Sequence, residues 1–128
     1  MAAEQSYPED LLYHSEHDWA RIEGEESTFG ITWFAQDALG EVVFFDPPEV
    51  GTQVAKDQAY AEVESVKAVS DVFAPLSGEI VEVNDGLADS PENINADPYG
   101  DGWMVKVRLS DPSEVGALLD VSAYRELL

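Results

Sequence analysis

From residue 17 onward, apolar and polar residues alternate in short runs broken by turn-forming residues, which is the pattern of antiparallel strands. Residues 17–22 read as one strand. Glu23-Gly24-Glu25 turns, and 27–31 returns. Thr32 is placed to cap a short helix over 33–39, with Gly40 to stop it. Residues 41–45, apolar from Val42 to Phe45, read as a buried strand, broken by Asp46-Pro47-Pro48. After a short strand at 52–54 and a turn at Lys56-Asp57, residues 58–65 alternate. That alternation puts Ala59, Ala61 and Val63 on one face and Tyr60, Glu62 and Glu64 on the other. A second strand covers 68–73, and Pro75-Leu76-Ser77-Gly78 turns into a third at 79–83. Residues 84–102 form a long acidic connection in which Ser90-Pro91 can start one helical turn. The last strand is 103–109.

The ends of the chain read differently. Residues 1–16 lack the pattern and read as a mobile or loosely docked lead-in. In the tail, Asp111 can cap a helix, Pro112 suits its first position and Glu114 can reach back to the cap. Val115, Leu118, Leu119 and Leu127 then offer an apolar stripe. The whole is mostly β with helical decoration, a small sandwich or barrel.

Composition narrows the function. The chain has 128 residues, one domain's worth, and no cysteine, so thiolate nucleophiles, disulfides and zinc–thiolate sites are excluded. No apolar run approaches the roughly 20 residues of a membrane span. Arg21 is the first basic residue, which fits neither a secretory signal nor a transit peptide and leads to a cytoplasmic expectation. Six basic residues against 27 acidic give a net charge of −21. Nucleic acid is excluded as a partner, because phosphate binding needs Lys and Arg. The hydrophobic content of 45% requires the acid to coat a folded surface. Two readings of that surface stand: a protein of a salt-rich, halophilic cytoplasm, where screening removes the self-repulsion, or an ordinary acidic protein.

Lys67 is the centre of the candidate chemistry. Only Lys56, Lys67 and Lys106 are lysines, and no other basic residue lies between Lys56 and Lys106. The two flanking strands place Lys67 at a hairpin tip, with its amine on a four-carbon stem. Position alone reads it first as an ordinary solvated turn residue. The second reading is a modification site, since a modifying enzyme needs one reachable amine on a fixed turn.

Three segments bear on that choice: Val50-Gly51-Thr52-Gln53-Val54, Val63-Glu64-Ser65-Val66-Lys67-Ala68, and Ala74-Pro75-Leu76-Ser77-Gly78-Glu79-Ile80. Together they resemble the biotinyl/lipoyl carrier domain, a flattened β-sandwich, or barrel-sandwich hybrid, whose modified lysine sits at a hairpin tip. Biotin carriers flank that lysine with methionines. Val66 and Ala68 stand there in this chain and favour lipoyl. His17-Asp18-Trp19, Gly30-Ile31-Thr32, the run from Ala35 to Phe44, and Asp97-Pro98-Tyr99-Gly100-Asp101-Gly102-Trp103 extend the match to the glycine cleavage H-protein family. The resemblance covers 13–128 as a single carrier domain and leaves 1–12 as a lead-in.

The resemblance implies a carrier that is not itself an enzyme. Lipoate would be joined by an amide to Lys67 by a lipoylating enzyme. Glycine decarboxylase (P protein) would load an aminomethyl group, the aminomethyltransferase (T protein) would pass its carbon to tetrahydrofolate, and dihydrolipoyl dehydrogenase (L protein) would reoxidise the dithiol. The added dithiolane would supply exchange chemistry that a cysteine-free chain lacks. The family parks its loaded arm in a surface cleft. Asp71 and Asp18 match acidic positions there, with Asp18 where relatives often carry Glu. Glu16 stands where some have Ser, and Ala38 where some have His. Asp71 and Asp18 also read as plain solvated acids in an acid-rich chain.

Other signals are weaker. His14 and His17 are metal-ligand types, but in an extended stretch a spacing of three puts them on opposite faces. The 97–102 loop lacks calcium spacing. Trp33 and Phe34 read as packing residues, or as a docking patch if exposed. No Ser-His-Asp set or phosphate-cradling loop is evident. Competing functions are a relay passing lipoyl or acyl groups to other lipoyl domains, a lipoyl domain of a 2-oxoacid dehydrogenase complex, and an unmodified acidic interaction module. The charge suggests a monomer between encounters, with no membrane partner.

Overall fold

The computed structural model describes residues 4–128, so residues 1–3 of the expected lead-in lie outside the described residues. Strands β1 (Leu12–Tyr13), β2 (Asp18–Glu23) and β3 (Glu26–Ile31) lead into helix α1 (Trp33–Leu39). Then come β4 (Val42–Asp46), β5 (Gln53–Val54), β6 (Ala59–Ser65), β7 (Val69–Phe73) and β8 (Gly78–Val83). Short helices α2 (Gly86–Asp89) and α3 (Asn93–Ala96) precede β9 (Val105–Leu109). A 3-10 turn (Pro112–Ala117) and helix α4 (Val121–Arg125) close the chain.

Among the described residues, the strands form a six-stranded sheet, β1-β2-β3-β9-β8-β5, and a three-stranded sheet, β4-β6-β7. Every pairing is antiparallel. Phe29, Ile80, Val105 and Val107 of the larger sheet meet Phe45, Tyr60, Val63 and Val72 of the smaller in one core. This is the expected β-sandwich with peripheral helices. The hydroxyl of Thr32 accepts from the Ala35 amide at 3.3 Å and caps α1 as the sequence predicts.

Two strands depart from simple alternation. In β6 the register shifts between Ala59 and Ala61. Tyr60 therefore turns inward with Val63, and Ala59 is exposed, the reverse of the expected faces. In β4 a shift between Val42 and Phe44 buries Val42 and Phe45 but leaves Val43 46% and Phe44 52% exposed. An apolar run of four at the edge of a sheet is thus only half buried, because one of its two faces looks at solvent.

The termini also differ from expectation. Tyr7, Leu11, Tyr13 and His14 are buried, so the lead-in is docked from Tyr7 onward. Its anchor is an aromatic cluster with Trp19 and Tyr124, in which the Tyr13 and Tyr124 rings stack at 4.7 Å. Fully burying side chains of this size contributes about 1.5–3 kcal/mol each against the cost of ordering the segment. Trp19 fits because position 30 is glycine: a Cβ on Gly30 would lie 2.6 Å from the indole. The acidic connection folds into α2 and α3 rather than a single turn. Asp111 caps the 3-10 turn, but the Glu114 carboxylate leaves it, accepting from the Ser77 amide at 2.7 Å and the Ser77 hydroxyl at 2.8 Å. Leu127 is exposed, and Tyr124 is the buried anchor of the tail.

Candidate functional site

Lys67 occupies the turn between β6 and β7 and is exposed. The turn is built by the residue two positions earlier. The Ser65 hydroxyl is buried, accepts from the Ala68 amide at 3.1 Å and the Lys67 amide at 3.3 Å, and donates to the Ala68 carbonyl at 3.3 Å. The Ser65 amide donates to the same carbonyl at 2.8 Å. A side-chain oxygen serving two consecutive amides fixes a tight turn without glycine, so the tip is held while its amine stays free.

The tip is also tied to the segment after α1. The Val66 amide donates to the Glu41 carbonyl at 3.0 Å. Gly40 ends the helix at φ 82°, and a Cβ there would lie 3.3 Å from Lys67 Cε. Glycine thus serves both the left-handed cap and the passage of the lysine stem. Behind this segment stands Asn95 of α3. Its Nδ2 donates to the Gly40 carbonyl at 2.8 Å and to Gln36 Oε1 at 3.0 Å, and its Oδ1 accepts from the Val42 amide at 2.9 Å. One buried amide therefore joins the end of α1 to the start of β4, which pairs with Ser65.

Beside the tip lies a cleft of about 420 Å³ between α1, the β1–β2 turn and β7. Its apolar wall includes Ile31, Phe34, Ala35, Leu39, Val63 and Val69. Its polar groups are Glu16, His17, Asp18, Ser70 and Asp71. Asp18 and Asp71, more than fifty residues apart in the chain, thus share one wall system, and Ala68, next to Lys67, belongs to it. Asp71 is exposed, whereas Asp18 is 1% exposed, so the solvated-acid reading fails for Asp18.

Asp18 is the electrostatic outlier. Its Oδ2 is buried with no hydrogen-bond partner among the described residues. Burial, with a smaller contribution from Glu16, raises its carboxyl well above the ordinary value. His17 has φ 71°, donates or accepts at Nδ1 to the Tyr124 hydroxyl at 2.8 Å, and packs on Phe34 at 4.5 Å between centroids. Burial lowers its ring below the ordinary value, favouring the neutral form. The cleft is therefore apolar with a surplus of carboxyl groups, a site suited to an apolar chain carrying a cation. Such a cleft fits a thioether or dithiolane arm tethered at the tip: Lys67 offers the free amine, and the orphaned carboxyl of Asp18 offers a partner to a cationic end.

The sequence profile of the glycine cleavage H-proteins matches residues 11–128. The chain belongs to that family. It is 55% identical over 122 residues to the glycine cleavage system H protein of Halorhodospira halophila, covering 94% of each chain. It is also 55% identical over 117 residues to that of Symbiobacterium thermophilum, covering 91% of each. The crystal structure of the glycine cleavage system H protein from Mycobacterium marinum superposes with a TM-score of 0.86 at 43% identity, covering 94% of this chain and 97% of that one.

The positions at which the family resemblance finds Glu16 for Ser and Ala38 for His both lie in the cleft wall. Phe34 lines it too, exposed as the docking reading required, while Trp33 packs in the aromatic cluster. His14 and His17 do not converge. The stretch between them is a turn, closed by the His17 amide on the His14 carbonyl at 2.9 Å, so it is not an extended stretch in which a spacing of three would set them on opposite faces. His14 instead meets Asp57. Sequence reasoning missed Asn95, the Ser65 hydroxyl, Tyr124 and the His14–Asp57 pair. Only Ser65 carried a signal, a hydroxyl residue two before the tip.

Proposed function

We propose that the chain is the lipoyl-carrying shuttle of a glycine cleavage system, with lipoate attached as an amide to the Lys67 amine. The observation that carries this is Lys67 itself: an exposed amine on a turn fixed by Ser65, beside an apolar cleft holding an unpartnered carboxyl. Held by Lys67, the group would supply the thiol–disulfide exchange that the cysteine-free chain lacks, which is what a carrier between glycine decarboxylase, the aminomethyltransferase and dihydrolipoyl dehydrogenase needs. The chain's own residues hold and shield. Ser65 and Asn95 keep the tip in one geometry for the lipoylating enzyme and the three partners. The wall from Ile31 to Val69 excludes water, and Asp18 and Asp71 face a cationic end with negative charge. The protein is a substrate of these enzymes rather than an enzyme, acts in the cytoplasm and is a monomer between encounters.

Intact mass and peptide mapping of native protein test the attachment: a lipoyl-sized addition on Lys67 is expected. Glycine-dependent carbon dioxide exchange with the partner decarboxylase tests the role. Lys67→Arg should be inert there, with an unchanged melting temperature, and exchange by that variant would overturn the reading. Asp18→Asn and Asp71→Asn should each speed loss of the loaded fragment. The surface charge belongs to a salt-rich cytoplasm in this reading. Thermal melts in low and molar potassium chloride should show stabilisation as the Debye length falls from about 30 Å to about 3 Å.

A further inference from the structure

The unpartnered Asp18 carboxyl does not stand alone. His14 is buried on the far side of it, with Nδ1 4.0 Å from Asp18 Oδ2. The other ring nitrogen, Nε2, is 2.6 Å from Oδ1 of Asp57, which is 60% exposed. The Glu16 amide donates to Nδ1 at 3.1 Å, so Nδ1 carries no proton and Nε2–H donates to Asp57. Lys56 Nζ lies 3.7 Å from the other Asp57 oxygen. An imidazole thus stands between a buried carboxyl in the cleft wall, which it does not yet bond, and an ionised one in water, which it does. Asp57 is held below the ordinary carboxylate range chiefly by its hydrogen bond to His14, so it stays anionic.

We propose that His14 is the proton partner of Asp18, taking the carboxyl proton onto Nδ1 when an ammonium enters the cleft and returning it when the cleft holds a neutral group. The step balances within the pair: the O–H bond at Asp18 Oδ2 breaks, an N–H bond forms at His14 Nδ1, and no charge is created overall. The hydrogen bond from the Glu16 amide is given up. The 4.0 Å gap is too long for a hydrogen bond, but a displacement of about 1 Å closes it, and Oδ2 has no other bond to hold it back. The imidazolium then lies between two carboxylates, Asp57 and Asp18, the arrangement that favours its charge. The other titratable groups around Asp18 supply no competing base. Glu16 and Asp71 add negative charge, His17 is held neutral and engaged with Tyr124, and Tyr60 and Tyr124 are phenols raised by burial. This bridge lets one buried wall suit a neutral arm and a cationic one in turn. It rests on the carrier reading for the source of the ammonium.

Nuclear magnetic resonance of the full chain tests it, reading the His14 ring nitrogens and the Asp18 carboxyl carbon through pH titrations. Loading with glycine and the decarboxylase is confirmed first by mass. The loaded protein should show His14 doubly protonated and Asp18 ionised, with the His14 midpoint at least one pH unit higher than in unloaded protein, a tenfold change in proton affinity. Asp57→Asn should shrink that rise, and His14→Gln should leave Asp18 protonated more often and release the loaded fragment faster. Identical His14 titrations in loaded and unloaded protein would overturn the proposal. If no mass is gained, the carrier reading has failed instead. Ala38→Lys in the unmodified chain then places an ammonium in the same cleft, and the same His14 comparison decides.

Discussion

The hairpin tip and the cleft floor are neighbours built on opposite plans. The tip is mostly local: Ser65 closes it through bonds to residues two and three positions on, and its long-range supports are the Val66–Glu41 bond and, behind that segment, Asn95. Every polar group named there except the Lys67 amine has a partner among the described residues. The floor is assembled from distant segments, His14, Asp18 and Asp57, and leaves one oxygen of Asp18 without any. A rigid, satisfied tip holds its one amine in one place. An unsatisfied floor carries the cost of a buried carboxyl oxygen without a partner.

The sharpest way to break the contrast is to loosen the tip from behind. Asn95→Ala removes three hydrogen bonds and leaves the buried Val42 amide and Gln36 Oε1 without it. The expected loss is about 2–4 kcal/mol, from the penalty of unpaired buried groups. Urea melts would read it, and hydrogen exchange should show the Val42 and Val66 amides opening first. Lipoylation of Lys67 should slow although no atom of the lysine has changed. Unaltered stability would make the tip as local as its hairpin.

The opposite sign is expected at the floor. A carboxyl whose folded value is raised keeps its proton in the native state at pH values where the unfolded chain has lost it. Native protein then binds more protons than unfolded, so stability falls as pH rises from the unfolded value near 4 toward the folded one. Asp18→Asn removes that penalty. The unmodified protein should gain roughly 1–3 kcal/mol at pH 7 and nothing near pH 3, where both states are protonated. Melting temperatures across pH 3–8 check both the gain and its disappearance. A gain that persists at pH 3 would mean packing rather than ionisation.

The contrast also explains what could be read from sequence. Lys67 between two alternating strands, Thr32 before α1 and Gly40 after it are local patterns, and they place the tip, the helix and the lysine. Asp18 was recognisable only by likeness to relatives, and nothing in its neighbourhood announces that it is buried. The pairing of His14 with Asp57 spans 43 residues and depends on the β1–β2 turn meeting the Lys56-Asp57 turn, which no periodicity encodes. Bulges did the same damage inside strands. One extra residue near Ala59 reversed the face of Tyr60, because alternation has no means of marking where the count slips. Asn95 looked like any polar residue of an acidic loop until α3 brought it beneath Gly40.

The smallest effect concerns how much of the tip's order is its own. Ser65→Ala removes a hydroxyl that serves two amides, but the backbone bond from residue 65 to Ala68 and the tie from Val66 to Glu41 survive. The freed Lys67 amide lies at an exposed position and water can take the hydroxyl's place. The cost should therefore be near 1 kcal/mol rather than the penalty of a buried orphan. Its mark should be kinetic: the Lys67 and Ala68 amides should exchange faster while those of Val42 and Val63 hold. Lipoylation should lose catalytic efficiency severalfold, recovered in Ser65→Thr, which keeps the hydroxyl. If Ser65→Ala and Asn95→Ala slow lipoylation by the same factor despite different stability losses, both act through one event, the fixing of the turn. If only Asn95→Ala slows it, the turn is set from the segment after α1, and the serine merely fits a shape already made.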